Sequence, residues 1–290
     1  MNINKIGIYY FSGTGNTKLM AELFCKQFKI NKINTDLIPI EDIIRKKRPV
    51  NIDKYDLIGF GYPVHAFSAP QIFFDFIYYL PKETKKKTFT FKTSGDPLFH
   101  GGATSLIRKK LKKKGYLVFH ENLIVMPANI AIKYNDRLIK QLYNVAQRKI
   151  KKKVGEIINE KENLQKNNII LRVFTYLFNS MESLGAKYFG KYLKTSEFCT
   201  LCGLCIEECP TNNISKVKGK IFFGKNCAFC MRCVYRCPKN AISNRFLNFF
   251  IIKEGYNIQN IIDNPSIKAD FITNKTRGYF KHFYTYFISD

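Results

Sequence analysis

Two copies of one cysteine run, CTLCGLCIEECP at Cys199–Pro210 and CAFCMRCVYRCP at Cys227–Pro238, constrain this chain more than any other feature of its sequence. Together they hold eight of the nine cysteines of a 290-residue chain. In a small secreted protein such a density would indicate a disulfide framework. Here the cysteines crowd into two compact groups of a much larger chain, a usage that favours metal. Structural zinc sites also use C-x2-C units, but tetrahedral zinc takes four ligands, usually as two pairs. Each run instead offers three close thiols and one displaced, and Pro210 and Pro238 follow in equivalent places. The ninth cysteine, Cys25, stands alone and reads as core packing.

Each run has the spacing C-x2-C-x2-C-x3-C-P and so resembles the bacterial two-cluster ferredoxins, whose fourth cysteine ligates the other cluster. The resemblance implies two [4Fe-4S] clusters, one held by Cys199, Cys202, Cys205 and Cys237 and the other by Cys227, Cys230, Cys233 and Cys209. Three thiolates at three-residue steps can wrap one cube, while a short helix carries the fourth to its neighbour. Neither half would then bind a cluster alone. A small α+β ferredoxin-like module over residues 195–244 is expected.

Residues 1 to about 125 alternate short apolar runs with amphipathic stretches, the pattern of a doubly wound α/β domain with a five-stranded parallel sheet. The expected strands are Ile6–Phe11, Thr35–Ile38, Leu57–Gly61, Thr88–Phe91 and Tyr116–Val125, with helices over Thr17–Phe28, Pro70–Leu80 and Ala103–Lys114. Between the first strand and first helix lies Ser12-Gly13-Thr14-Gly15-Asn16-Thr17. Glycines here permit close backbone approach, the hydroxyl and amide side chains supply donors, and a helix N-terminus favours an anion. The loop is neither a Walker loop nor a G-x-G-x-x-G fingerprint, since Lys18 occupies the third glycine position.

This loop resembles the phosphate loop of flavodoxins, and the resemblance extends over about 125 residues. It implies FMN, with the phosphate at Ser12, Gly13, Thr14, Gly15, Asn16 and Thr17. The flavin ring would lie against two loops at strand C-terminal ends. The first carries Tyr62, Pro63, Val64, His65 and Phe67; the second carries Thr93, Ser94, Gly95, Phe99, His100 and Gly101. The chain has no Trp, so any ring stacked on the flavin must be Tyr, Phe or His.

The order of the halves, with IYYFSGTGNT, GYPVHAFSAP and MPANI at Met126–Ile130, resembles a family of flavodoxin–ferredoxin fusions of anaerobes. That resemblance implies an oxygen-sensitive, cytoplasmic electron-transfer flavoprotein. Four regions are expected: an FMN-binding flavodoxin-like domain over 1–165, a helical bridge over 166–194, the module over 195–244, and an aromatic, basic tail over 245–290. No apolar run reaches the roughly 18 residues of a membrane span; the longest candidate, Ile169–Phe178, is interrupted by Arg172. Met1–Tyr10 lacks a signal-peptide layout.

The formal net charge is +26, with lysines spread along the whole chain rather than along one stripe. An acidic redox partner, such as a small ferredoxin or an oxidoreductase, is expected on that ground. Nucleic acid is not expected, nor is membrane contact. Two other readings stay open. The chain could be a flavin-dependent reductase of a small molecule, fed by the clusters, for which no catalytic residues stand out. It could also be a basic redox sensor that binds nucleic acid or a membrane surface through the tail Lys275–Tyr284, where aromatic and basic residues interleave.

Overall fold

The computed structural model describes residues 3–65, 67–98, 102–165, 175, 181 and 184–289. The expected ring-facing residues Phe99, His100 and Gly101, and all of the apolar patch Ile169–Phe178 except Thr175, lie outside the described residues.

Five strands form a parallel sheet: β1 (Lys5–Tyr10), β2 (Asn34–Pro39), β3 (Leu57–Pro63), β4 (Lys86–Ser94) and β5 (Tyr116–Val125), in the order β2-β1-β3-β4-β5. This is the flavodoxin-like order, in which the chain reverses direction of winding between β1 and β3 and leaves a crevice at their C-terminal ends. Five helices connect or cover the strands: α1 (Asn16–Ile30), α2 (Ile40–Lys46), α3 (Gln71–Tyr79), α4 (Ala103–Lys113) and α5 (Asp136–Ile158). The expected strands and helices all form within a few residues of their sequence limits, because each is marked by apolar periodicity. α2 was not expected. Its acidic first turn, Glu41 and Asp42, and basic last turn, Arg45 and Lys46, match the helix dipole and are a signal in the sequence.

Alternation along the strands sends side chains to two cores. Ile6, Ile8, Phe89 and Phe91 pack with Met20, Phe24 and Phe28 of α1 and with the apolar face of α5. On the other side Ile58, Phe60 and Tyr62 pack with Phe73, Phe76 and Ile77 of α3 and with Ile107 and Leu111 of α4. α1 shows why it docks: Thr17, Met20, Ala21, Phe24 and Phe28 recur at three- and four-residue steps and are buried.

The chain then enters the cysteine module, which has a core of its own around Phe189, Leu193, Ile214, Phe223, Met231, Val234 and Ile242. Two antiparallel pairs frame it: β6 (Leu193–Thr195) with β9 (Ile242–Asn244), and β7 (Ile214–Val217) with β8 (Lys220–Phe223). The tail returns to the α1/α5 face of the sheet. There Ile258, Ile262, Ile272, Phe283 and Phe287 join the first core, with Phe283 fully buried. Much of the tail's aromatic content is thus spent on covering the neighbouring α/β layer.

Candidate flavin and iron-sulfur sites

The Ser12–Thr17 loop leads into the N-terminus of α1, where the first N–H groups have no intrahelical partner. Gly15 adopts φ +109° and a Cβ there would meet nothing within 4 Å, so open space lies in front of the helix end. The first turn carries no acidic residue. Backbone donors, free volume and absent negative charge together fit a phosphate.

The loop's side chains are largely engaged with the protein itself. Thr17 Oγ1 lies 2.8 Å from Thr93 Oγ1, both buried. Asn16 Nδ2 donates to the Pro127 carbonyl at 2.8 Å, and its Oδ1 accepts from the Tyr256 hydroxyl at 2.8 Å. Thr14 Oγ1 accepts from Asn129 Nδ2 at 2.9 Å, and Ser12 Oγ accepts from Gly15 N at 3.2 Å. These residues shape the loop, and the backbone is left to face an anion. The MPANI segment is its second wall: Asn129 also accepts, through its carbonyl, from the Tyr235 hydroxyl at 2.8 Å, which ties this wall to the cysteine module.

At the C-terminal ends of β3 and β4 a cavity of about 490 Å³ opens between the sheet and the module. Val64, His65, Phe67, Ser94 and Gly95 line it, as expected residues of the two ring-facing loops. Tyr62, Pro63 and Thr93 are not among its lining residues. Alternation on β3 turns Tyr62 away into the α3 core, where its ring lies 4.8 Å from Phe73; Thr93 is held by Thr17. Asp96, which lies within the second expected loop, joins Tyr134 and Tyr279 on the polar side, and Ile130, Phe189, Phe229, Leu247 and Phe250 form the apolar side; of these, sequence reasoning placed only Asp96 at the ring. Burial, then Asp96, pushes the Tyr279 hydroxyl up to about 12.

The eight cysteines of the runs are free thiols gathered around two small cavities. Cys199, Cys202, Cys205 and Cys237 line one, and Cys209, Cys227, Cys230 and Cys233 the other. The two runs repeat each other in backbone conformation: Leu201 and Phe229 take φ +56° and +50°, Gly203 and Met231 +82° and +60°, Asn212 and Asn240 +51° and +47°. Left-handed residues on both sides of the second cysteine curl each loop around its cavity. Backbone N–H groups reach the sulfurs, from Asn213 to Cys209 at 3.2 Å, Phe229 to Cys227 at 3.3 Å and Ala241 to Cys237 at 3.3 Å. Such bonds favour thiolate and tune a bound cluster. Burial pushes Cys227 up to about 12 and raises Cys230 and Cys233, and a cationic metal bound among them would favour the thiolates. Among the described residues no three His, Cys, Asp or Glu side chains converge on a site for a single metal ion, whereas each cysteine set surrounds a space.

Residues 197–242 match the family model of the 4Fe-4S dicluster domain. The chain joins a flavodoxin-like fold to a 4Fe-4S ferredoxin-like module. An uncharacterized protein of Methanocaldococcus jannaschii is 34% identical over 91 residues, which are 31% of this chain and 57% of that relative, so the match spans little more than half the relative's length. Among solved structures, oxidised flavodoxin 1 of Bacillus cereus is 19% identical and aligns over 54% of this chain and 98% of its own, with a TM-score of 0.40. Two-electron reduced flavodoxin of Megasphaera elsdenii is 25% identical over 41% of this chain and 85% of its own, with a TM-score of 0.35. The strand order of the sheet, rather than these alignments, carries the flavodoxin-like fold.

The dicluster domain and the flavodoxin-like domain meet at the phosphate-type loop. A Cβ on Gly13 would come within 2.4 Å of the Cys230 carbonyl oxygen, so only glycine permits this approach. Arg232, two residues beyond Cys230, donates to the Ser12 carbonyl at 2.6 Å, the Gly13 carbonyl at 3.2 Å and the Glu208 carbonyl at 3.1 Å, and pairs with Glu41 at 2.6 Å. The first run carries Leu204 at the equivalent place. That asymmetry between the two runs is the sequence signal that marks which of them faces the other domain.

Proposed function

We propose that this electron-transfer protein passes electrons between FMN, held by the Ser12–Thr17 loop with its ring in the 490 Å³ cavity, and two [4Fe-4S] clusters held by the crossed cysteine sets. The observation that carries this reading is the direct contact of Gly13 with Cys230, which sets one cysteine site against the loop. Phe229, between Cys227 and Cys230, also lines the cavity. The order of the sites follows from exposure: Cys202 of the first set is exposed, whereas Cys209 and Cys230 of the second are buried. Electrons would enter or leave through the exposed set and reach the flavin through the buried one.

FMN supplies a centre that exchanges one or two electrons, while each cluster exchanges one. The protein's part is to hold the centres close, exclude water with Phe189, Phe229 and Phe250, and tune each by hydrogen bonds. The strong positive charge favours an acidic one-electron carrier as partner, and the chemistry suits a reducing, cytoplasmic setting. A cavity of this size also falls in the range of small-molecule sites, about 300–1,000 Å³, which keeps a reductase reading open; oxidation of the reduced flavin by added organic acceptors tests it.

The deciding experiment is analysis of iron, sulfide and flavin in protein purified without oxygen, with spectra before and after reduction. About eight iron, eight sulfide and one FMN per chain are expected. Full iron without flavin would remove the FMN reading and leave the ferredoxin-like half.

A further inference from the structure

Asp96 follows β4 and stands in the wall of the cavity, 6% exposed. Its Oδ2 faces two groups of the tail, the Tyr279 hydroxyl at 2.8 Å and His282 Nε2 at 2.8 Å, while Oδ1 accepts from Leu98 N at 2.7 Å. Tyr279 lines the cavity beside it. His282 stands behind Asp96, outside the lining, and keeps 23% of its side chain exposed. A solvent-touching imidazole is therefore one hydrogen bond from a carboxylate that faces the cavity. The same carboxylate oxygen binds a hydroxyl that also faces it.

Holding the tail in place does not account for this cluster. Phe283 and Phe287, on the same final helix (Lys281–Ile288), already dock that helix in the apolar core. A buried carboxylate is costly, and an apolar or amide side chain would serve an anchor better. An imidazole bonded to a carboxylate is instead a common arrangement for moving protons near neutral pH.

We propose that His282, Asp96 and Tyr279 form a proton relay that serves the cavity. The proposal rests on the reading that the flavin ring occupies it. Two-electron reduction of a flavin takes two electrons and at least one proton. The clusters would supply the electrons, one each; the proton would pass from His282 Nε2–H through Asp96 Oδ2, directly or by way of the Tyr279 hydroxyl. Solvent returns the proton to His282. Only N–H and O–H bonds are made and broken on the protein. Among the described residues two other titratable groups face the cavity, His65 from the loop after β3 and Tyr134 from the segment before α5; the Tyr134 hydroxyl donates to the Gly95 carbonyl at 2.6 Å and also interacts with Tyr279.

The test uses the full chain, purified without oxygen, with iron and FMN content measured for every variant. Clusters are reduced rapidly and flavin bleaching is followed in H2O and D2O. Wild type is expected to show a solvent isotope effect. His282→Gln is expected to slow bleaching about tenfold or more at unchanged iron and FMN content, Asp96→Asn is expected to slow it in the fraction that retains FMN, and added imidazole is expected to restore the rate in His282→Gln. The flavin midpoint potential of Asp96→Asn is expected to rise, because a negative charge leaves the cavity wall. Unchanged rate and isotope effect in an FMN-replete variant overturn the relay alone. Wild type that carries iron and no FMN overturns the relay together with the cavity reading. Should Asp96→Asn lose FMN or fail to fold, His282→Gln decides by the same comparison, since His282 does not line the cavity.

Discussion

The Arg232 guanidinium crosses the joint between the two halves and lies 2.6 Å from the Ser12 carbonyl oxygen, 220 residues away in sequence. The loop that opens α1 is thereby held by the cysteine run it faces. The proposed flavin and cluster sites would therefore share one structural element, and the consequences can be measured.

Arg232→Met should destabilise the protein by about 3 kcal/mol, because it leaves the Glu41 carboxylate, 11% exposed, without its partner. Anaerobic denaturation measures this. The double variant Arg232→Met/Glu41→Gln should recover part of the loss; equal stability of the single variant and wild type would show that the pair contributes nothing.

Gly13→Ala places a methyl 2.4 Å from the Cys230 carbonyl, an overpacking that should cost about 1–3 kcal/mol and push the loop off the cysteine run. Flavin retained after anaerobic dialysis should fall, while Gly15→Ala, with no neighbour within 4 Å, should act only through its backbone strain at φ +109°.

Thr14→Ala and Asn16→Ala should weaken flavin binding and spare iron. Asn16 joins the Pro127 carbonyl to Tyr256, and Thr14 is bonded to Asn129, so each substitution loosens a wall of the loop by about 1 kcal/mol per hydrogen bond. Equal FMN content in variants and wild type would argue against the phosphate site.

Cys237→Ala should reduce the site formed with Cys199, Cys202 and Cys205, and leave the one nearer its own run intact. Cys202→Ala should have the same spectral outcome, with iron falling from about eight to about four per chain. Unchanged iron in Cys202→Ala would sink the ligand assignment, and loss of a different cluster in Cys237→Ala would sink the crossing.

Lys92, 1% exposed on β4 and 2.6 Å from Thr104 Oγ1, is brought down to about 7 by burial, with Glu121 opposing. Between that value and the ordinary 10.5 the unfolded chain holds a proton that the folded chain has released. Stability contributed at this site therefore rises with pH across the window and is lowest below it. Lys92→Met should exceed wild type in stability by about 1–4 kcal/mol near pH 6, with the gap narrowing as pH rises from about 7 toward 10.5. Anaerobic thermal melts across pH give the comparison; a gap independent of pH would show that Lys92 does not titrate in this way.

Local order was legible in the chain itself. The cysteine spacing marks both loops that curl around the cavities, and apolar periodicity marks each expected strand, because ligand wrapping and single-element burial depend on neighbours a few residues apart. The glycine loop before α1 is legible for the same reason. Relationships across the chain were not. Tyr62 sits in a loop-like motif yet belongs to the strand, whose alternation buries it against Phe73. Residues 245–290 read only as aromatic and basic, since nothing local states which surface they cover. Packing against the sheet is what brings Tyr279 and His282 to Asp96, 183 and 186 residues away. Sequence determined the main elements of the α/β layer and the spacing of the two cysteine runs; the three-dimensional packing decided which loop meets which cysteine, because that choice depends on surfaces that exist only once the elements have formed.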